Sequence, residues 1–67
     1  MTKDEAITAA TEHATQRGYD CAQYEASAEF SDGTWRVSFR GHELRPGDFF
    51  SVRVDDESGD ATLFPGK

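Results

Sequence analysis

The side chains in this sequence best suited to nucleophilic or metal chemistry are one cysteine, Cys21, and two histidines, His13 and His42. A zinc site needs three or four protein ligands, which usually come in closely spaced pairs. The chain has no CxxC, HxxxH or CxxH pair, so the sequence predicts no metal ion. A nucleophilic Cys21 would need a base beside it, and its spacing from His13 does not place one there. We therefore interpret Cys21 as a small thiol that is buried or half-buried.

A second group with possible chemistry is the acidic segment Asp55–Asp60. A calcium-binding loop requires Asp or Asn at its fifth position and Glu at its twelfth. Gly59 stands at the fifth position and no Glu stands at the twelfth, so we interpret the segment as the polar turn of a hairpin. No glycine-rich phosphate loop is present either, and no cofactor is expected. The sequence thus predicts a protein that is not an enzyme.

The charge balance limits the partners of the chain. Thirteen acidic residues against seven basic ones give a net charge of −6. This excess disfavours direct binding to nucleic acid or to an anionic membrane and allows a protein partner with a basic surface, although solubility alone also explains it. No apolar run reaches the roughly 20 residues of a membrane span, and the first residues lack a signal-peptide core. The lone cysteine suits a reducing compartment, so we expect a cytoplasmic protein.

The elements that must position these residues begin with a helix over Thr2–Arg17. Thr2 and Glu5 match a capping box, in which each side chain binds the backbone N–H of the other. Gly18 is a natural stop. Small apolar residues recur at helical spacing and predict a narrow buried face, which consists of Ala6, Ile7, Ala10 and Ala14.

Alternating residues after the helix predict strands. They cover Tyr24–Phe30, Trp35–Arg40, the stretch around Val52 and a short Ala61–Phe64. In the first strand, Tyr24, Ala26, Ala28 and Phe30 share one side. Asp32-Gly33 is typical of a tight hairpin turn, and Pro46-Gly47 suits a type II turn.

Short connections between the strands make the sheet antiparallel. The predicted fold is therefore α+β: a single domain, residues 1–67, with one N-terminal helix packed on a three- to four-stranded antiparallel sheet. On the outer face, Glu25 and Glu29 can lie opposite arginines of the second strand. That face is either a solvated salt ladder or a binding surface, and it carries Arg36, Arg40 and Arg53.

Two segments resemble parts of PepSY-type domains. Thr2–Ile7, followed by Ala10 and Ala14, is similar to their opening helix, and Val52–Asp60 is similar to their closing "V-x-V-D-x-x-T-G-x" hairpin, with Ser58 in place of Thr. The resemblance implies a binding or inhibitory module, in some cases acting on peptidases, without catalytic residues. Such domains are usually secreted or membrane-attached, and this chain shows no such signal. Small bacterial immunity proteins have a similar pattern.

Two functions follow as hypotheses. The first is a protein-binding inhibitor or regulator, acting as a monomer or a weak homodimer. The alternative is a phage-encoded mimic of nucleic acid, such as an anti-CRISPR, whose carboxylates block the basic groove of a DNA-binding complex. Phe49 is predicted either to point outward as an anchor or to pack at the sheet edge. The candidate interface comprises Asp55, Asp56, Glu57 and Asp60 in the hairpin turn, Glu43, Asp48 and Phe49 around the second loop, and Asp4, Glu5 and Glu12 on the helix.

Overall fold

The computed structural model describes residues 1–41 and 49–65. A helix, α1, is followed by a short 3-10 helix and four strands that form one antiparallel sheet in the order β1-β2-β3-β4. The predicted α+β fold is confirmed, and the sheet has four strands. The elements are α1 Lys3–Gln16, the 3-10 helix Cys21–Gln23, β1 Tyr24–Ser31, β2 Thr34–Gly41, β3 Phe49–Asp55 and β4 Ala61–Pro65.

The start of α1 is fixed by the predicted capping box. The backbone N–H of Glu5 donates to Oγ1 of Thr2 at 3.2 Å, and the backbone N–H of Thr2 donates to Oε1 of Glu5 at 2.7 Å. The helix stops before Gly18, whose φ of 94° lies in the left-handed region that glycine adopts without strain. No helix within the described ranges is long and apolar enough to cross a membrane.

The core lies between α1 and the inner face of the sheet. Ala6, Ala10 and Ala14 are fully buried, which places the helix close to the sheet because these side chains are small. Phe39 and Phe50 stack in parallel beneath them, with ring centroids 4.6 Å apart. Val37, Val52 and Val54 complete the buried set.

The connection from α1 to β1 contains the short 3-10 helix, which the sequence did not predict. It begins where Oδ1 of Asp20 accepts a hydrogen bond from the backbone N–H of Ala22 at 3.3 Å. Cys21 is half-buried against α1, with Sγ 3.7 Å from the carbonyl oxygen of Thr11 and 3.9 Å from Oγ1 of Thr15. Of the two predicted placements of Cys21, buried or half-buried, the structure shows the second.

The inner face of β1 is less covered than the alternation predicted. Tyr24 and Ala28 are half-buried, but Ala26 and Phe30 are exposed. The reason is size: a helix of 14 residues is about 21 Å long and about 10 Å wide, and it covers the centre of a four-stranded sheet better than its edge. Because β1 is an edge strand, the corner that holds Phe30 stays open.

Candidate functional site

Three segments that are distant in sequence meet at one end of the molecule: the start of α1, the β1–β2 turn and the β3–β4 turn. The backbone N–H of Asp56 donates to the carbonyl oxygen of Gly33 at 3.0 Å, which joins the two turns. The amino group of Met1 lies 3.3 Å from Oδ1 of Asp56, which joins the helix start to them. We call the carboxylates gathered here the acidic end: Asp4, Glu5, Asp32, Asp55, Asp56, Glu57 and Asp60.

Asp55 holds the shape of the β3–β4 turn. Its Oδ1 accepts hydrogen bonds from the backbone N–H groups of Glu57 at 2.8 Å and Ser58 at 3.1 Å. These bonds favour the charged carboxylate, so the backbone N–H groups of Ser58 and Glu57 lower the pKa of Asp55. The exposed carboxylate of Asp55 is thus already hydrogen-bonded within the turn.

Asp56 connects the turn to the sheet. Its Oδ1 accepts a 2.9 Å hydrogen bond from the indole Nε1–H of Trp35, in addition to the contact with the Met1 amino group. The Trp35 bond is the largest cause that lowers the pKa of Asp56. Asp56 therefore fixes the position of an aromatic side chain beside the acidic end.

The other carboxylates of the acidic end divide into two groups. Glu5 belongs to the capping box, and its hydrogen bonds with Thr2 lower the pKa of its carboxyl. The remaining four make no side-chain hydrogen bond or ion pair to any residue that the structure describes, and they are exposed. This free set consists of Asp4, Asp32, Glu57 and Asp60.

An aromatic patch borders the acidic end. Phe30 is 52% exposed, and its ring packs on that of Trp35 with centroids 5.0 Å apart. Met1 lies beside Asp56 and is 41% exposed. The exposure of Phe30 was not predicted, because alternation assigns a side chain to one face of a sheet and does not say whether anything covers it. The one feature of the sequence that could have indicated this exposure is the position of Phe30 at the end of the first strand, next to the Asp32-Gly33 turn.

Glu12 lies apart from the acidic end. It stands two helical turns beyond Asp4, on the exposed side of α1. With Asp4, Glu5, Thr8 and Ala9 it borders a shallow depression of about 320 Å³ that is open to solvent. The three acidic residues predicted on the helix thus border one depression. The contact between Met1 and Asp56, which brings the start of α1 to the hairpin turn, was not predicted.

Phe49 does not join the acidic end either. It starts β3, whereas Asp55 ends it, and six steps along a strand span about 20 Å. Phe49 is 50% exposed and lies opposite Arg40 on the outer face, as one of the two predictions for it stated. Glu43, Asp48 and the Pro46-Gly47 turn lie outside the described residues.

The two other candidate reactive groups lie apart from this end. Nε2 of His13 is buried and has no hydrogen-bond partner within the described part of the chain. Cys21 packs against the last turns of α1, at the opposite end of the helix from Asp4. In residues 1–41 and 49–65, no three His, Cys, Asp or Glu side chains gather as metal ligands do.

Comparisons of the chain with models of protein families, with curated proteins and with solved structures found no match. The resemblance to PepSY-type domains and to immunity proteins stays a prediction from the sequence.

Proposed function

We propose that this chain is a non-catalytic protein-binding module that inhibits or regulates a partner with a basic surface, through the acidic end. The observation that carries the proposal is the exposed ring of Phe30, packed on Trp35 beside four free carboxylates. Aromatic side chains surrounded by polar groups are the usual anchors of protein interfaces. A cytoplasmic location is part of the proposal and rests on the lone thiol Cys21, which suits a reducing compartment.

The chemistry of this end fits lysine and arginine side chains. A cation can lie over the face of an aromatic ring while its charge is neutralised by carboxylates nearby. Phe30 and Trp35 supply the rings, and Glu57 and Asp60 supply free charges in the adjacent turn. The hydrogen bond from Trp35 to Asp56 holds the ring in place before a partner arrives, which lowers the entropic cost of binding.

A pull-down from extracts of the source organism, with the whole chain immobilised, tests this function. We expect one protein to be recovered in stoichiometric amount by the parent chain and lost by Phe30→Ser and by Glu57→Lys. Glu12→Lys is the matched control, because it makes the same charge change on the side of α1. Equal recovery of the partner by the parent, Phe30→Ser and Glu57→Lys would show that the acidic end is not the binding site.

A nucleic-acid mimic is the second candidate. It is favoured by the convergence of seven carboxylates on one end of a molecule whose smaller dimensions are 22 and 18 Å. Duplex DNA carries one charge per roughly 1.7 Å, or about 13 charges over the longer of these dimensions. Seven carboxylates are about half that number, so the match is partial.

Once a partner protein has been identified, competition with DNA distinguishes the protein-binding module from the nucleic-acid mimic. If the chain mimics DNA, a short DNA duplex displaces it from the partner, and its affinity falls steeply with added salt. If the duplex does not compete, the mimic hypothesis fails while the protein-binding function stands.

A further inference from the structure

The outer face of the sheet, opposite α1, has a regular arrangement in rows across the strands. The pairing register places Glu29, Arg36, Arg53 and Thr62 side by side in one row. A neighbouring row consists of Ser27, Ser38, Ser51 and Phe64, and the next of Glu25, Arg40 and Phe49. Three arginines and two phenylalanines thus stand around a row of three serines.

In the described part of the chain, the arginines on this face form no ion pair with the glutamates beside them. As predicted, the two glutamates of β1 lie opposite arginines of β2, with Glu25 across from Arg40 and Glu29 across from Arg36. Neither pair lies within ion-pair distance in the described structure. Arg36 and Arg53 face each other directly across β2 and β3. Like charges in that position repel across a sheet, and an anion bound over both guanidinium groups would relieve this repulsion. This cluster of arginines stands out because the chain as a whole has a net charge of −6.

The side chains around the arginines leave room for a ligand. Ser27, Ser38 and Ser51 form a low strip between two rows of longer side chains. Phe64 closes one end of the strip, and the guanidinium of Arg53 lies 5.0 Å from the centroid of its ring. Phe49, half exposed, flanks the strip near Arg40. The strip therefore has hydroxyl groups along its floor and guanidinium groups along both sides.

We infer that the outer face binds an extended acidic segment of a partner protein. The segment lies along the serine strip, where its carboxylates accept hydrogen bonds from Arg36, Arg53 and Arg40. Guanidinium groups bind carboxylates through two parallel hydrogen bonds, so the contact fixes the orientation of the carboxylate and also neutralises its charge. An apolar side chain of the segment packs on Phe49. This surface is separate from the acidic end and opposite to it in charge, so it does not depend on the function proposed above.

Other anionic occupants fit the face less well. Single-stranded nucleic acid binds sheets by stacking successive bases on exposed rings, but of the two exposed rings on this face, that of Phe64 already contacts the guanidinium of Arg53. If two copies met face to face with β2 over β3, their arginines would oppose one another.

The test uses the whole chain and a labelled synthetic peptide of alternating glutamate and leucine, followed by fluorescence anisotropy. We expect saturable binding that weakens with salt and that falls at least about tenfold in Arg53→Glu. Ser38→Tyr fills the strip without a change of charge and is expected to lose the peptide as well. Arg17→Glu, the same charge reversal at the exposed end of α1, should bind as the parent does.

Three results would overturn the inference. The first is equal binding of the peptide by the parent, Arg53→Glu and Ser38→Tyr, or no binding by a folded parent. The second is a labelled oligo(dT) bound more tightly than the peptide and lost in Arg53→Glu, which would assign the face to nucleic acid. The third is concentration-dependent oligomers of the parent in sedimentation that Arg53→Glu abolishes, since the occupant would then be a second copy. The far-ultraviolet circular dichroism of each variant shows that it is folded.

Discussion

The indole N–H of Trp35 and the carboxylate of Asp56 are joined by a 2.9 Å hydrogen bond between β2 and the β3–β4 turn. This bond sets where the Trp35 ring stands, and Phe30 packs on that ring. The carboxylate in turn meets the amino group at the start of the chain. One polar contact therefore orients both the aromatic patch and the turn that carries Glu57 and Asp60.

Replacing Trp35 by Phe should disturb the acidic end while leaving the fold in place. The ring is retained but its N–H is lost, so the pKa of Asp56 should rise towards its ordinary value, because the largest cause of its lowering is removed. Carboxyl NMR signals followed through an acid titration measure this change. Tyr19→Phe, an aromatic change beside Phe50, is the control. An unchanged Asp56 titration would show that the hydrogen bond has little effect in solution.

The stability of the protein should fall in acid. Glu5, Asp55 and Asp56 have lowered pKa values in the fold, so they bind protons more readily when the chain is unfolded. The free energy of unfolding therefore rises with pH in this range: the contribution is complete above the unfolded pKa values near about 4 and is lost as pH falls through the lower folded values. Urea unfolding followed by Trp35 fluorescence at a series of acid pH values measures the slope. Asp55→Asn should flatten it, and an identical slope would contradict the assignment.

The close approach of α1 to the sheet should make its small residues hard to enlarge. Ala10 is fully buried, and Ala10→Leu should lower the free energy of unfolding by about 1–3 kcal/mol through overpacking. Thr8→Leu places the same side chain on the exposed side of the same helix and should change the free energy of unfolding by less than about 0.5 kcal/mol. Urea unfolding of both variants gives the comparison, and equal values would mean that the helix moves freely away from the sheet.

The β1–β2 turn should depend on the glycine at its second position. Asp32 and Gly33 have φ values of 51° and 76°, which the tight hairpin turn requires. Nothing lies near a Cβ placed on Gly33, so Gly33→Ala tests backbone strain alone and should cost about 1–2 kcal/mol. Ser31→Ala, beside the turn, serves as the control. A thermal midpoint as high as that of the parent would show that the turn relaxes without cost.

The facing arginines give a prediction that separates stability from binding. Arg53→Glu puts a carboxylate opposite Arg36, which should gain roughly 0.2–1 kcal/mol and lose a similar cation–π contribution from Phe64. The variant should thus be about as stable as the parent while it loses an acidic ligand. A large loss of stability in urea unfolding would mean that Arg53 holds the fold together.

The sequence predicted the parts of this molecule that depend on near neighbours. The capping box of Thr2 and Glu5, the alternation of β2 and the Asp32-Gly33 turn are all local, and each is observed. The exposure of Phe30 depends on how much of a sheet a single helix covers, which no local pattern states. The meeting of the helix start with the hairpin turn depends on topology, and so it was found only in the structure.

The edge position of β1 has a consequence for association. Residues 25–29 have the palindromic sequence Glu-Ala-Ser-Ala-Glu. An antiparallel pairing of two such edges centred on Ser27 would set Glu25 of each copy against Glu29 of the other, and like charges in that position repel. A free edge invites sheet extension from molecule to molecule, and charged residues on it are one way to prevent this. We therefore expect the charges of this strand to oppose the growth of fibres from molecule to molecule.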